Sequence, residues 1–158
     1  MALEKDSKET THGLASLEDN IHTILYGSNT EKEKIRGRFF HIADTPDFMK
    51  KLGLSGDFFS IRYGVISRHL GKDLDHNLTE QNWLDFKKEI IDPIIITKFD
   101  KGYRLYVLIN SSVIPIAIGI NKKTVRQGLE VNSICTVFKY NPRNQENEEI
   151  IYRIKNNL

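Results

Sequence analysis

At Asp92-Pro93 the spacing of apolar residues changes, and this change limits the folds open to the chain more than any other feature. Before it, Leu14, Leu17, Ile21, Ile24 and Leu25, and later Trp83, Phe86 and Ile90, recur at helical intervals. That spacing gathers apolar side chains on one face of a helix. After it, Tyr103, Leu105, Val107 and Ile109, then Ile114, Ile116, Ile118 and Ile120, recur at every second residue. Period two lines one face of a strand. Helices first and consecutive hairpins afterwards predict an α+β domain, with the helices packed on one face of an antiparallel sheet of about four strands.

Local signals place the boundaries. Ser16 can cap the first helix, and the run from Gly27 to Thr30 ends it. Thr45-Pro46-Asp47 reads as a helix start. Thr45 is the expected N-cap, Pro46 suits the first helical position, and Asp47 sits at the positive end of the dipole. Gly53 supplies a left-handed exit. Thr79 caps a helix over 79–91, and Asp92-Pro93 stops it. A short helix is expected over 64–70. Strand-like runs cover 36–43, 57–63, 93–98, 103–109, 113–121 and 129–140, and 150–154 reads as a last strand or short helix. Residues 1–13 are polar and aperiodic and read as a disordered arm, leaving 14–158 as a single domain.

Composition narrows the function classes. At 158 residues the chain can bury roughly two-thirds of its unfolded surface without staples. Its single cysteine, Cys135, gives neither an internal disulfide nor a zinc framework and reads as a small buried hydrophobe. No run is apolar enough over a sufficient length to span a bilayer, so no membrane partner is expected. The N-terminal residues lack the apolar core of a signal peptide, which points to the cytoplasm or a phage particle. A net charge of +2 is small for a nucleic-acid partner, so any basic patch must come from clustering.

Two clusters exist: Lys32, Lys34, Arg36 and Arg38, which read as a solvated basic face, and the stretch from Arg62 to His76. The second interleaves Arg62, Arg68 and Lys72 with His69 and His76. Cations can bind phosphate and stabilise a phosphorane, while histidines move protons near neutral pH. Metal binding by His69, Asp73, Asp75 and His76 lacks the paired-histidine spacing of a metal site, so no metal and no cofactor are expected. On the strand 129–140, Asn132 and Thr136 share a face with Ile134, Phe138 and Tyr140. Such polar residues serve either as a local hydrogen-bond device or as part of a cleft.

The run ADTPDFMKKLGL, followed by FFSIRYGVISRHLGKDLDHNLTEQNWLDFKKEIIDPIII, and the later LYVLI, VIPIAIGI and VNSICTVFKY resemble the C-terminal domain of phage MuF-type head-morphogenesis and polyvalent proteins. The resemblance covers roughly residues 39–152 and lies in the order and spacing of its motifs. Such domains are grouped with nuclease-like folds related to barnase, EndoU, colicin and RelE toxins. The resemblance implies a metal-independent, RNA-cleaving or toxin role, with RNA as substrate and an immunity or antitoxin protein as partner. It puts His76 at the family's histidine and Thr136 at a serine position. Asp75 stands where Lys or Arg often precedes the histidine, and Phe138 stands where a tyrosine is expected.

The leading expectation is acid–base cleavage by His76, with His69 in reserve. Arg62, Arg68 and Lys72 would bind phosphate, Thr136 would position the substrate, and Asn132 would help bind it. The alternative is a non-catalytic binding or structural module of a phage or mobile element, which the Asp75 and Phe138 departures favour. ADP-ribose transfer is a third class, but no motif for its nucleotide cleft is visible.

Overall fold

Caps and turns delimit the elements, and strand pairing assembles them. The computed structural model describes residues 14–67, 78–109, 116–125, 129–139 and 148–154. The arm 1–13 and the stretch containing Arg68, His69, Lys72 and His76 lie outside the described residues. The chain runs β1 (Ala15–Ser16), α1 (Leu17–Tyr26), α2 (Asn29–Glu33), β2 (Phe39–Asp44), α3 (Asp47–Leu52), β3 (Phe58–Arg62) and α4 (Tyr63–Ser67). It continues with α5 (Glu80–Glu89), β4 (Ile95–Phe99), β5 (Gly102–Val107), β6 (Ile116–Val125), β7 (Leu129–Lys139) and β8 (Glu149–Arg153).

The helix starts have visible causes. Ser16 accepts the Asp19 backbone N–H at 3.0 Å and so caps α1. Thr79 and Asn82 form a reciprocal box at the start of α5, with backbone N–H to side-chain oxygen distances of 3.0 and 3.1 Å. Ser28 and Glu31 build the same device for α2, a helix that sequence reading merged into a turn. Thr45 departs from its expected role. The cap position of α3 is Pro46 with no side-chain cap bond, and the Thr45 hydroxyl is turned to Asn132 instead. Gly53 does provide the left-handed exit, at φ 114°.

Among the described residues, eight strands form one sheet in the order β1-β2-β3-β7-β6-β5-β4-β8. The β1–β2 and β3–β7 pairings are parallel and the others antiparallel. This overturns the expected four-stranded antiparallel sheet under a block of N-terminal helices. The physical reason is that alternation shows where a strand runs but not which strand it pairs with. The strand runs 36–43 and 57–63 lie among the helical segments, yet β2 and β3 join the same sheet as the later hairpins. From β3 the chain passes through its helices to the far side, then returns by antiparallel steps through β4, β5 and β6. β7 thereby arrives beside β3 in the same direction. Parallel neighbours require such a long crossover.

All the principal helices bury their apolar faces against one side of this sheet. Ile21 and Ile24 of α1, and Trp83 and Phe86 of α5 with the following Ile90, share a continuous core with Phe40, Phe59, Ile61, Ile96, Leu105, Val107, Ile118, Ile134 and Val137. Helix α5 packs chiefly against α1 and β2. Trp83, Phe86 and Ile90, expected from their spacing to lie against strands 103–110 and 129–140, therefore meet the early side of the sheet and join the later strands only through the shared core. A smaller apolar cluster of Leu14, Phe58 and Val131 lies on the opposite side. No helix among the described residues is long and apolar enough to cross a membrane.

Phe86 has no exposed surface, so Phe86→Ala should cost about 3–5 kcal/mol through the cavity it leaves. Chemical denaturation checks this, and an unchanged midpoint would mean that α5 does not pack as described.

Candidate functional site on the helix-free face

One extra residue in β7 decides which side chains reach the side of the sheet away from α1 and α5. Gly119 pairs with Thr136 but Ile120 pairs with Ile134, so Cys135 is an unpaired bulge residue. A one-residue slip exchanges faces. Before the bulge, Asn132 and Ile134 lie toward the helices, in register with Phe59 and Ile61 of β3. After it, Thr136 and Phe138 point away from them while Val137 returns to the core. The expectation that Asn132, Ile134, Thr136 and Phe138 share a face is therefore corrected: the bulge divides them.

Asn132 is 1% exposed and acts as a cross-link. Its Oδ1 accepts the Gly56 N–H at 3.2 Å. Its Nδ2 lies 3.0 Å from the Thr45 hydroxyl and 3.2 Å from the carbonyls of Leu54 and Gly56. A side-chain amide with this many buried partners holds the α3–β3 loop onto β7. That is the local hydrogen-bond device, the first of its two expected roles. Gly56 is needed here, since a Cβ would come within 2.5 Å of the β7 backbone.

Thr136 is exposed and begins a row across the sheet. It pairs with Gly119, Gly119 with Arg104, and Arg104 with Thr97. Directly opposed residues share a face, so Thr136, Gly119, Arg104 and Thr97 stand in line on the side that is helix-free among the described residues. Gly119, itself buried, leaves room in the row for the Thr136 hydroxyl, which a Cβ there would meet at 2.4 Å. The span from Thr136 to Arg104 is two strand spacings, roughly 10 Å. Arg62 extends the line on the other side. Phe39 opposite Arg62 and Phe58 within the same strand belong to the helix-free face. Arg62 lies one residue past the Ile61–Ile134 pair, and Thr136 two residues past it, so both sit at the same ends of adjacent parallel strands.

The far end of the row is closed by Glu148, whose side chain is 3% exposed. Arg104 donates through Nη1 to Glu148 Oε2. The hydroxyls of Thr97 and Tyr106 donate to Oε1, the latter at 2.8 Å. The Arg104 guanidinium also lies 4.8 Å from the Phe99 ring centroid and 5.3 Å from that of Phe138. Ring faces carry negative potential, so they help hold the cation in place. A carboxylate, a guanidinium, a phenol and two hydroxyls thus share one sheet face. Thr97, Tyr106 and Glu148 are buried and bound to one another or to Arg104, so the groups of this face open to a phosphodiester are the exposed Thr136 and Arg62.

Of the residues singled out from sequence, Arg62 and Thr136 come together on this face, and Asn132 lies on the other side, inside the fold. His69, His76, Arg68 and Lys72 lie outside the described residues. Arg104, Tyr106 and Glu148 were missed. The signal for Arg104 and Tyr106 was present: they alternate with the core residues Tyr103, Leu105 and Val107, so they had to point away from the core. Gly119 and Ala117 in an isoleucine-rich strand marked the small positions that Arg104, Tyr106 and Thr136 pack beside. Glu148 carried no local signal. Among the described residues, no group of three or more His, Cys, Asp or Glu side chains is placed to share a metal ion. Compared with protein-family profiles, curated proteins and solved structures, the chain matches none.

Glu148→Ala should cost about 3–5 kcal/mol, because it leaves the Arg104 charge on a largely desolvated site without this carboxylate. Thermal or denaturant unfolding measures it. A loss below about 1 kcal/mol would mark the contact as equivalent to an exposed pair.

Proposed function

We propose that this chain is a metal-independent ribonuclease-like domain that cleaves RNA by acid–base transfer. The observation that carries the reading is the row Arg62, Thr136, Gly119 and Arg104 on the helix-free face, with Glu148 and Tyr106 bound at its end. It places the exposed Arg62 cation and the exposed Thr136 hydroxyl at the same ends of adjacent strands, with the Arg104 cation held in the same row.

In this reading a base removes the proton of the RNA 2′-hydroxyl, and the 2′-oxygen attacks the adjacent phosphorus. The bond from phosphorus to the 5′-oxygen breaks, and an acid returns a proton to that oxygen. The products are a 2′,3′-cyclic phosphate and a 5′-hydroxyl. His76 is the assigned base or acid, with His69 in reserve. Arg62, Lys72 and Arg104 stabilise the phosphorane charge, and Thr136 orients the phosphate. An inhibitory protein is the expected second partner of such an activity.

One observation favours the alternative, a non-catalytic binding module. Glu148 is almost fully enclosed and accepts from three side chains, the arrangement expected of a structural anchor. Activity separates the two readings.

Purified protein should cleave mixed RNA equally with and without EDTA, giving cyclic-phosphate ends. His76→Ala should lower the rate about 10²–10⁴-fold, the usual loss for a positioned acid or base. Thr136→Val should lower it about tenfold, the worth of one hydrogen bond, with an unchanged melting temperature. The pH–rate profile should turn over near the histidine range, about pH 6–7. Wild-type protein that cleaves no RNA under any condition would replace this reading with the binding module.

A further inference from the structure

The row on the sheet face ends at Arg62, but the basic surface continues past it. An open cleft of about 510 Å³ is lined by Arg36, Gly37, Arg62, Tyr63, Gly64 and Ser67. Arg36 comes from the turn after α2 and Arg62 from the end of β3, so two cations distant in sequence meet in one cleft. Two glycines keep the walls low. A Cβ at Gly37 or Gly64 would meet nothing within 4 Å, so an extended polymer can approach the backbone there. The Arg62 guanidinium lies 6.0 Å from the half-buried Phe39 ring, which limits where the charge can go. Arg36 is paired with Glu33 at 3.1 Å, with both side chains more than half exposed. Water screens such a pair, and a phosphate can compete for the guanidinium.

We propose that this cleft binds the phosphodiester backbone of single-stranded RNA on one flank of the scissile position. The choice of polymer rests on the ribonuclease reading. The cleft as an anion site rests on its own geometry: two cations, bare walls, and a volume larger than a lone phosphate fills. Its continuity with the sheet-face row through Arg62 gives the strand a direction, from the exposed Thr136 across Arg62 to Arg36.

The test uses a short, fluorescein-labelled single-stranded RNA with 2′-O-methyl groups, which lacks the attacking hydroxyl and so reports binding alone. In fluorescence anisotropy, Arg36→Ala/Arg62→Ala should bind about 20-fold more weakly at about 0.1 M salt, and the salt slope should fall by about 1.4, the value for two lost phosphate contacts to a single strand. Arg36→Lys/Arg62→Lys should keep most of the slope, since it keeps the charge. Lys50→Ala/Lys51→Ala, which removes two exposed lysines on α3, should leave binding unchanged. Unfolding midpoints equal to wild type exclude a folding defect. A dinucleotide substrate, too short to fill the cleft, should be cleaved equally by wild type and by the Arg36→Ala variant, since Arg36 lines the cleft but lies outside the catalytic row.

Unchanged RNA binding in the double alanine variant overturns the cleft and leaves the cleavage reading standing. Binding that is lost in that variant, from a wild type that cleaves nothing, upholds the cleft and overturns cleavage. Tighter binding to polyglutamate than to RNA overturns the proposal in favour of an acidic protein partner.

Discussion

Three residues of β3, Phe59, Ser60 and Ile61, lie in parallel register with Asn132, Ser133 and Ile134 of β7. Through that short contact the helical half of the chain and the hairpin half share one sheet. The pairing is costly to form, because about seventy residues separate the partners and loop closure must precede any gain. It is held from several directions at once. Ile61 and Ile134 are buried in the common core with α1 and α5, and the Asn132 amide binds the loop that leads into β3. Without this join, β2 and β3 would be a separate hairpin, and Arg62 would have no fixed relation to Thr136.

The sheet has two chemically different faces. Toward the helices, the strands present Phe, Ile, Leu and Val, and burial of each contributes roughly 1.5–3 kcal/mol. Away from them, the middle of the sheet presents Thr136, Gly119, Arg104, Thr97 and Tyr106. A polar row on a strand face is expensive to bury unless each group has a partner. Glu148 satisfies that requirement for Arg104, Thr97 and Tyr106 together. A buried pair of this kind adds little net stability over apolar residues of the same volume. Its effect is specificity of arrangement: it sets the position of the guanidinium and ties the entry to β8 against β4 and β5. The same fixed charge can serve a phosphate-binding surface or a structural clasp.

The bulge at Cys135 connects these themes. Regular alternation would have sent Thr136 into the core with Ile134, leaving a hydroxyl among apolar side chains. The added residue resets the phase, so Val137 fills the core and Thr136 faces outward beside Gly119. The Cys135 Sγ lies 3.4 Å from the Gly119 carbonyl, within the same local contact. A single insertion thus separates a structural residue, Asn132, from a surface hydroxyl only four positions later.

What the sequence determined by itself were the local decisions. Ser16 and Thr79 start helices because their oxygens meet orphan backbone N–H groups, and Gly53 ends one because it tolerates positive φ. Trp83, Phe86 and Ile90 form a buried stripe because their spacing matches the helical turn. The strand runs near 36–43, 57–63 and 103–109 were legible by alternation for the same reason: these signals act within a few residues. Tertiary structure alone decided which strands are neighbours, that two pairings are parallel, and that the sheet has eight strands among the described residues. It also decided that Thr45 serves Asn132 rather than a helix, and that Glu148 meets Arg104, 44 positions earlier in the chain. None of these contacts leaves a local trace, because pairing energy comes from side chains that meet only after the chain has crossed the sheet. The candidate site was half legible for that reason. Arg62 and Thr136 were visible as residue types in suggestive places, but their alignment depends on a parallel register and a bulge that no periodicity records.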